Sequence, residues 1–222
     1  MNYIAKNIKK YLKEIPSNVK LIAISKTRDL DDIDEAYAAG QRIFGENKVQ
    51  ELADKYNAMP PDVQWHFIGH LQTNKIKYIA PFISLIHSVD SLKLLKEINN
   101  EAKKVNRTID CLLQLYIAKE ETKFGMSEKE MFDLLDNIKL LQFKNVRIVG
   151  LMGMATFVDK QDQIRKEFEL LAKTFQEIKE KYFAECDYFT EMSMGMSGDY
   201  KIAIECGSTM IRIGHDIFGS EE

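Results

Sequence analysis

Leu21-Ile22-Ala23-Ile24-Ser25-Lys26 is an apolar run that ends on a lysine. It reads as a parallel strand buried on both faces. An ammonium at the end of such a strand is costly unless it is paired, neutralised or covalently engaged. Barrels and open α/β sheets carry their working groups at the C-terminal ends of their strands. Lys26 is therefore a candidate for Schiff-base chemistry with a carbonyl compound. The competing reading is a structural lysine that snorkels to solvent.

Working outward, the same unit repeats. Upstream, a helix up to Glu14 sets Ile4, Ile8 and Tyr11 on one face, and Pro16 ends it. Downstream, Asp29 caps a helix with Ile33, Ala36 and Tyr37 facing inward, and Gly40 stops it. Further strands are expected over residues 42–44, 65–69, 85–88, 108–117, 146–151, 188–190 and 210–213. Helices separate them. Ser91 opens one, Ser127 and Glu130 form a capping box ahead of Met131, Leu134, Leu135 and Ile138, and Gly198 to Glu205 forms a short one. The clearest places Ile164, Phe168, Leu171, Phe175 and Ile178 at spacings of four and three. Eight strands alternating with helices predict an α/β fold, a single-domain (β/α)8 TIM barrel over residues 1–222. A doubly wound open sheet is the alternative.

Composition narrows the function. The 222 residues suit one domain with a full core. The net charge is −3 and the cations are spread along the chain, which argues against a nucleic-acid binder. Cys111, Cys186 and Cys206 form no C-x-x-C, so a reducing compartment fits better than a disulfide framework. The N-terminus lacks the apolar core of a signal peptide, and no apolar stretch has the length of a membrane span. A cytoplasmic location is the expectation.

The polar groups expected at strand ends are Lys26, Asn47, His66, His70, Ser88, Ser193, Gly207-Ser208-Thr209 and Arg212, with Met152 beside them. Gly207-Ser208-Thr209 is either a phosphate-binding turn or an ordinary helix-stopping loop. In Ser193-Met194-Gly195-Met196-Ser197, Ser193 is placed to reach a phosphate oxygen and Ser197 to cap a helix. Arg212 lies on the strand face opposite Ile211 and Ile213, where a buried guanidinium needs an anion or a strong acceptor. His66 is as readily a satisfied core histidine as a base. No H-E-x-x-H, P-loop, G-x-S-x-G, zinc-ribbon or G-x-G-x-x-G pattern occurs.

Six stretches together resemble the YggS/PROSC family of pyridoxal-phosphate (PLP) homeostasis proteins. They are Ala23-Ile24-Ser25-Lys26-Thr27, Phe44-Gly45-Glu46-Asn47, Trp65-His66-Phe67-Ile68-Gly69-His70-Leu71-Gln72, Gly150-Leu151-Met152, Ser193-Met194-Gly195-Met196-Ser197 and Gly207-Ser208-Thr209-Met210-Ile211-Arg212-Ile213-Gly214. The family is similar to the N-terminal barrel of alanine racemase, the type III fold of PLP proteins, and to that of eukaryotic-type ornithine decarboxylase. Its members lack the second β domain of those enzymes.

The resemblance implies that Lys26 holds PLP as an internal aldimine. It implies that Gly207, Ser208 and Thr209 cup the phosphate with help from Ser193, and that Arg212 lies at the ring nitrogen or the phosphate. Asn47, His66 and Met152 would line the pocket. An arginine at the ring nitrogen keeps that nitrogen unprotonated and weakens the ring as an electron sink. The implied function is a carrier or buffer of PLP without turnover, with PLP-requiring apoenzymes as recipients; the modest size and the absent second domain fit a monomer, with a dimer as the alternative. Three alternatives stand beside it. One is a PLP-dependent amino-acid racemase, for which Tyr200 is the nearest second base. Another is a cofactor-free barrel enzyme using Lys26 and His66. The last is a regulator that contacts PLP enzymes.

Overall fold

The computed structural model describes residues 3–119, 124–141 and 143–220. Eight strands run parallel in chain order, and the last pairs with the first to close a barrel. They are β1 (Lys20–Ile24), β2 (Ile43–Glu46), β3 (Gln64–Phe67), β4 (Leu85–Val89), β5 (Ile109–Gln114), β6 (Val146–Met152), β7 (Glu191–Ser193) and β8 (Met210–Ile213). Around them lie α1 (Tyr3–Glu14), α2 (Leu30–Ala38), α3 (Val49–Ala58), α4 (Ile76–Ile79), α5 (Leu92–Lys104), α6 (Glu128–Leu141), α7 (Gln161–Tyr182), α8 (Tyr200–Glu205) and α9 (His215–Phe218). The barrel expectation holds. The open sheet is excluded by the β1–β8 pairing, in which Lys20 to Ala23 lie opposite Met210 to Ile213.

Alternation along each strand builds two cores. Leu21, Ala23, Phe44, Trp65, Phe67, Ile211 and Ile213 point outward into a layer shared with the helices. Ile22, Ile24, Leu85, Leu112, Val149, Met152 and Met210 fill the barrel interior. The stripe Ile164, Phe168, Leu171, Phe175 and Ile178 on α7 is buried in the outer layer. Truncating a fully buried phenylalanine such as Phe168 to alanine costs about 3–5 kcal/mol.

Local chemistry sets the boundaries. Asp29 accepts from the Asp32 amide at the start of α2, and Ser91 accepts from the Leu94 amide at the start of α5. Gly40, at φ +106, ends α2, with its own amide bonded to Tyr37 O and the Gln41 amide to Ala36 O. The Ser127–Glu130 capping box forms reciprocally, and Met131, Leu134 and Leu135 are buried behind it. The Ile138 side chain lies outside the described residues. The seventh strand differs from expectation. It is Glu191–Ser193, not residues 188–190. Phe189 instead leaves the barrel wall and stacks on Phe183 and Phe175 in the outer layer, at 4.3 and 4.8 Å between ring centroids.

Candidate functional site

The interior face of β1 carries Ile22 and Ile24, and the period of two puts Lys26 on that same face, just past the strand. Lys26 is half-buried and lines a cavity of about 630 Å³ at the C-terminal mouth of the barrel. Its two neighbours are tied down from outside the barrel. Ser25 is fully buried and donates its hydroxyl to Glu46 Oε1 at 2.6 Å. Lys55 on α3 donates to Ser25 O, Glu46 Oε1 and Glu51 Oε1 at 2.6, 2.8 and 2.7 Å. Three donors meet three acceptors, which is how a buried ammonium is tolerated. Glu51 also accepts the Thr27 amide at 2.6 Å. Thr27 sits at φ +63, a conformation that costs a β-branched residue about 1–3 kcal/mol. The ion network therefore holds a strained turn that carries Lys26.

Asn47 follows β2 and also lines the cavity. Its Oδ1 is buried with no hydrogen-bond partner among the described residues. A buried amide oxygen left unsatisfied is costly and waits for a donor. Gly69 makes that placement possible, because a Cβ there would stand 2.4 Å from Asn47 O and 2.9 Å from Asn47 Cβ.

Arg212 reaches the cavity from the interior face of β8 and is almost fully buried. Nη1 donates to Ser193 O and Ser193 Oγ at 2.8 and 2.6 Å, and Nη2 to Gly153 O at 3.2 Å. These acceptors are neutral, so they orient the guanidinium without cancelling its charge. Burial lowers its pKa to about 10, with nearby Asp199 pulling the other way. The remaining wall includes Gln114, Met154, Ser197, Gly198, Gly214 and His215, and His70 stacks on Phe124 at the rim at 4.7 Å.

Other expected site residues lie elsewhere. Gly207, Ser208 and Thr209 precede β8 and so sit at the N-terminal end of the barrel, opposite the cavity. This corrects the expected phosphate cup. Gly207, at φ +95, ends α8, with the Ser208 amide bonded to Ala203 O. The Ser208 hydroxyl contacts the carbonyls of Met194 and Met210, and Thr209 Oγ1 donates to Glu191 Oε2. The helix-stopping reading is the one realised.

His66 is also displaced from expectation. It lines a basal cavity of about 410 Å³ with Lys20, Asp110, Arg147 and Glu191. Burial, and then the Lys20 charge, lower its pKa to about 3. Met152 belongs to the interior apolar cluster and does not line the upper cavity. Ser193 is fully buried behind Arg212. Ser88 is buried in β4, its Oγ without a partner among the described residues. Tyr200 packs edge-on against Tyr11 and donates to Glu14 Oε2 at 3.2 Å, so it faces α1 and not the cavity.

Sequence reading missed Gln114, Gly214 and His215. Gln114 ends β5 and Gly214 directly follows β8, the same strand-end signal that picked out Lys26, whereas His215 opens α9. Among the described residues, no cluster of three or more His, Cys, Asp or Glu is arranged to hold a metal ion.

The residues present suit an aromatic aldehyde that carries an anionic group. They offer a primary amine, an orphaned amide oxygen and a buried cation around one cavity. The family model for the alanine racemase N-terminal domain matches residues 1–222. A pyridoxal phosphate homeostasis protein of Aquifex aeolicus is 38% identical over 204 residues, covering 91% of this chain and 87% of that protein. Another from Vibrio alginolyticus is 39% identical over 212 residues, covering 93% and 88%. The solved structure of PipY from Synechococcus elongatus PCC7942 with PLP bound superposes with a TM-score of 0.87 at 34% identity, covering 97% of this chain and 100% of that one.

Proposed function

Because this chain belongs to the pyridoxal phosphate homeostasis family, built on the alanine racemase N-terminal fold, we propose that the upper cavity holds PLP through Lys26 and hands it on without turning over a substrate. The observation that carries this reading is the convergence of Lys26, the unsatisfied Asn47 Oδ1 and the buried Arg212 on one cavity. When bound, PLP supplies an aldehyde that condenses reversibly with a primary amine.

The chain's own residues do the rest. Lys26 presents the amine from a turn fixed by Glu51 and Lys55. Asn47 accepts a hydrogen bond that no described protein group provides. Arg212 has donors only, so it favours an unprotonated acceptor and disfavours a second cation beside it. Ser197, Gly198 and Gly214 give the small, backbone-rich wall that suits a phosphate, and a Cβ at Gly198 would meet nothing within 4 Å. This assignment replaces Gly207, Ser208 and Thr209.

The carrier reading is supported by what surrounds Arg212. It discourages protonation of a ring nitrogen, which weakens the ring as an electron sink. Tyr200, the nearest expected second base, is engaged with Glu14 outside the cavity. The test mixes PLP-loaded protein with an apo-form PLP enzyme and follows recovery of that enzyme's activity. In parallel, α-proton exchange of alanine and other amino acids is followed in deuterated water. Transfer without exchange supports the carrier. Exchange that disappears in Lys26→Ala would establish a racemase-like enzyme instead.

A further inference from the structure

A line of polar groups runs through the barrel interior behind Arg212. Arg212 Nη1 lies 2.6 Å from Ser193 Oγ, Ser193 Oγ lies 2.9 Å from His87 Nδ1, and His87 Nε2 lies 3.0 Å from His66 Nδ1. These residues come from β8, β7, β4 and β3, and all four are buried. The line begins at the upper cavity, which Arg212 lines, and ends at the basal cavity, which His66 lines. Packing alone does not call for it, since the neighbouring interior positions are Ile22, Leu85, Leu112 and Met210.

The chemistry of the donors fixes its direction. A guanidinium can only donate, so Ser193 Oγ accepts from Arg212. The serine hydrogen must then find another acceptor, and His87 Nδ1 is the one in reach. His87 Nδ1 is therefore a bare lone pair, and the ring carries its proton on Nε2. That proton goes to His66 Nδ1, which places the His66 proton on its own Nε2. The opposite tautomer of His87 would leave the serine hydrogen without an acceptor among the described residues.

We propose that His87 is a positioning residue that fixes the Arg212 guanidinium through Ser193, in a one-way chain of hydrogen bonds running from Arg212 to His66. Burial lowers the pKa of both imidazoles, which keeps them in the neutral form the chain requires. The consequence for PLP rests on the reading of the upper cavity given above. The direction of the chain does not.

Two measurements decide it. Long-range proton–nitrogen NMR of the histidine rings in the wild-type protein, at neutral pH and without PLP, reads the tautomers directly. The proposal expects both His66 and His87 as neutral Nε2–H forms, and a His87 proton on Nδ1, or a charged His87 ring, overturns it. The second measurement compares PLP affinity in His87→Asn and His87→Phe. Asparagine offers Oδ1 in place of Nδ1 and still accepts from Ser193, whereas phenylalanine fills the space and accepts nothing. The expectation is an affinity loss of about tenfold for His87→Phe and of at most about twofold for His87→Asn, as for one lost hydrogen bond to a buried group. A purely packing role reverses that order, because asparagine leaves the larger void. A wild type that takes up no PLP sinks the cofactor reading, and the NMR result still decides the chain.

Discussion

Replacing Lys55 with methionine removes the ammonium that holds Ser25 O, Glu46 Oε1 and Glu51 Oε1 together. Glu51 is partly exposed and can turn to water, but Glu46 cannot, because its side chain is fully buried. Its carboxylate would keep only the Ser25 hydroxyl, and its Oε2 already lacks a partner among the described residues. Breaking a buried ion pair by removing one member costs about 3–5 kcal/mol, so that is the loss expected near pH 7.5.

The pH dependence has a definite sign. Burial already raises the Glu46 pKa above 4.5, with Lys55 and Ser25 opposing the shift. Without Lys55 the pKa rises further. A carboxyl whose folded pKa is raised favours the folded state when protonated, so its contribution is full below its unfolded pKa and is lost as pH rises through the folded one. The deficit of Lys55→Met, measured against wild type at the same pH, should therefore shrink on going from about pH 7.5 to about pH 5.5. Urea titrations followed by circular dichroism measure it, and the double variant Lys55→Met with Glu46→Gln should recover part of the loss. A deficit below about 1 kcal/mol, or one equal at both pH values, would refute the argument.

Other consequences are open to test. Gly69→Ala drives a Cβ into the Asn47 backbone, so PLP affinity should fall by about tenfold, as for one lost hydrogen bond, and an unchanged affinity would show that Asn47 makes no contact. Thr209→Val removes the bond to Glu191 and the acceptor of the Met192 amide at the barrel floor. It should cost about 1–3 kcal/mol of stability while leaving PLP affinity unchanged, and a marked affinity loss would restore the discarded phosphate cup. The depressed histidines work in acid with the opposite sign to Glu46. Their stabilisation is present above an unfolded pKa near 6.5 and is lost as pH falls toward their folded values, about 3 for His66. Each contributes a slope of up to about 1.4 kcal/mol per pH unit, and His87→Asn should flatten the acid limb of the stability profile by one histidine's share.

Much of this was legible because each element's local chemistry agrees with its tertiary role. The Asp29 cap, the Ser127–Glu130 box and the Gly40 stop all form as read, and the helix expected from Ser91 runs over Leu92–Lys104 with Ser91 as its cap. Lys26 and Arg212 were legible for a related reason. In each case an apolar strand of period two makes a charged residue on its inner face conspicuous.

The misplacements have physical causes. Residues 188–190 carry the aromatic bulk of a strand, yet Phe189 is claimed by the outer layer, and the true strand is the short, more polar Glu191-Met192-Ser193. Gly207-Ser208-Thr209 has the composition of an anion loop, but composition does not say which end of a strand a loop occupies. Lying before β8, it belongs to the floor. His66 falls too early in its strand to reach the mouth and lines the basal cavity instead. His87 gave no signal, because its meaning depends on Ser193 and His66, which only barrel closure brings within bonding distance.

The central claim is that Lys26 carries PLP in the upper cavity. The most direct measurement incubates the protein with PLP, fixes any imine with borohydride and locates the added mass by peptide mass spectrometry. The account predicts stoichiometric labelling of the peptide containing Lys26 and its loss in Lys26→Ala. Dominant labelling of another lysine, or labelling of Lys26→Ala equal to wild type, would contradict it.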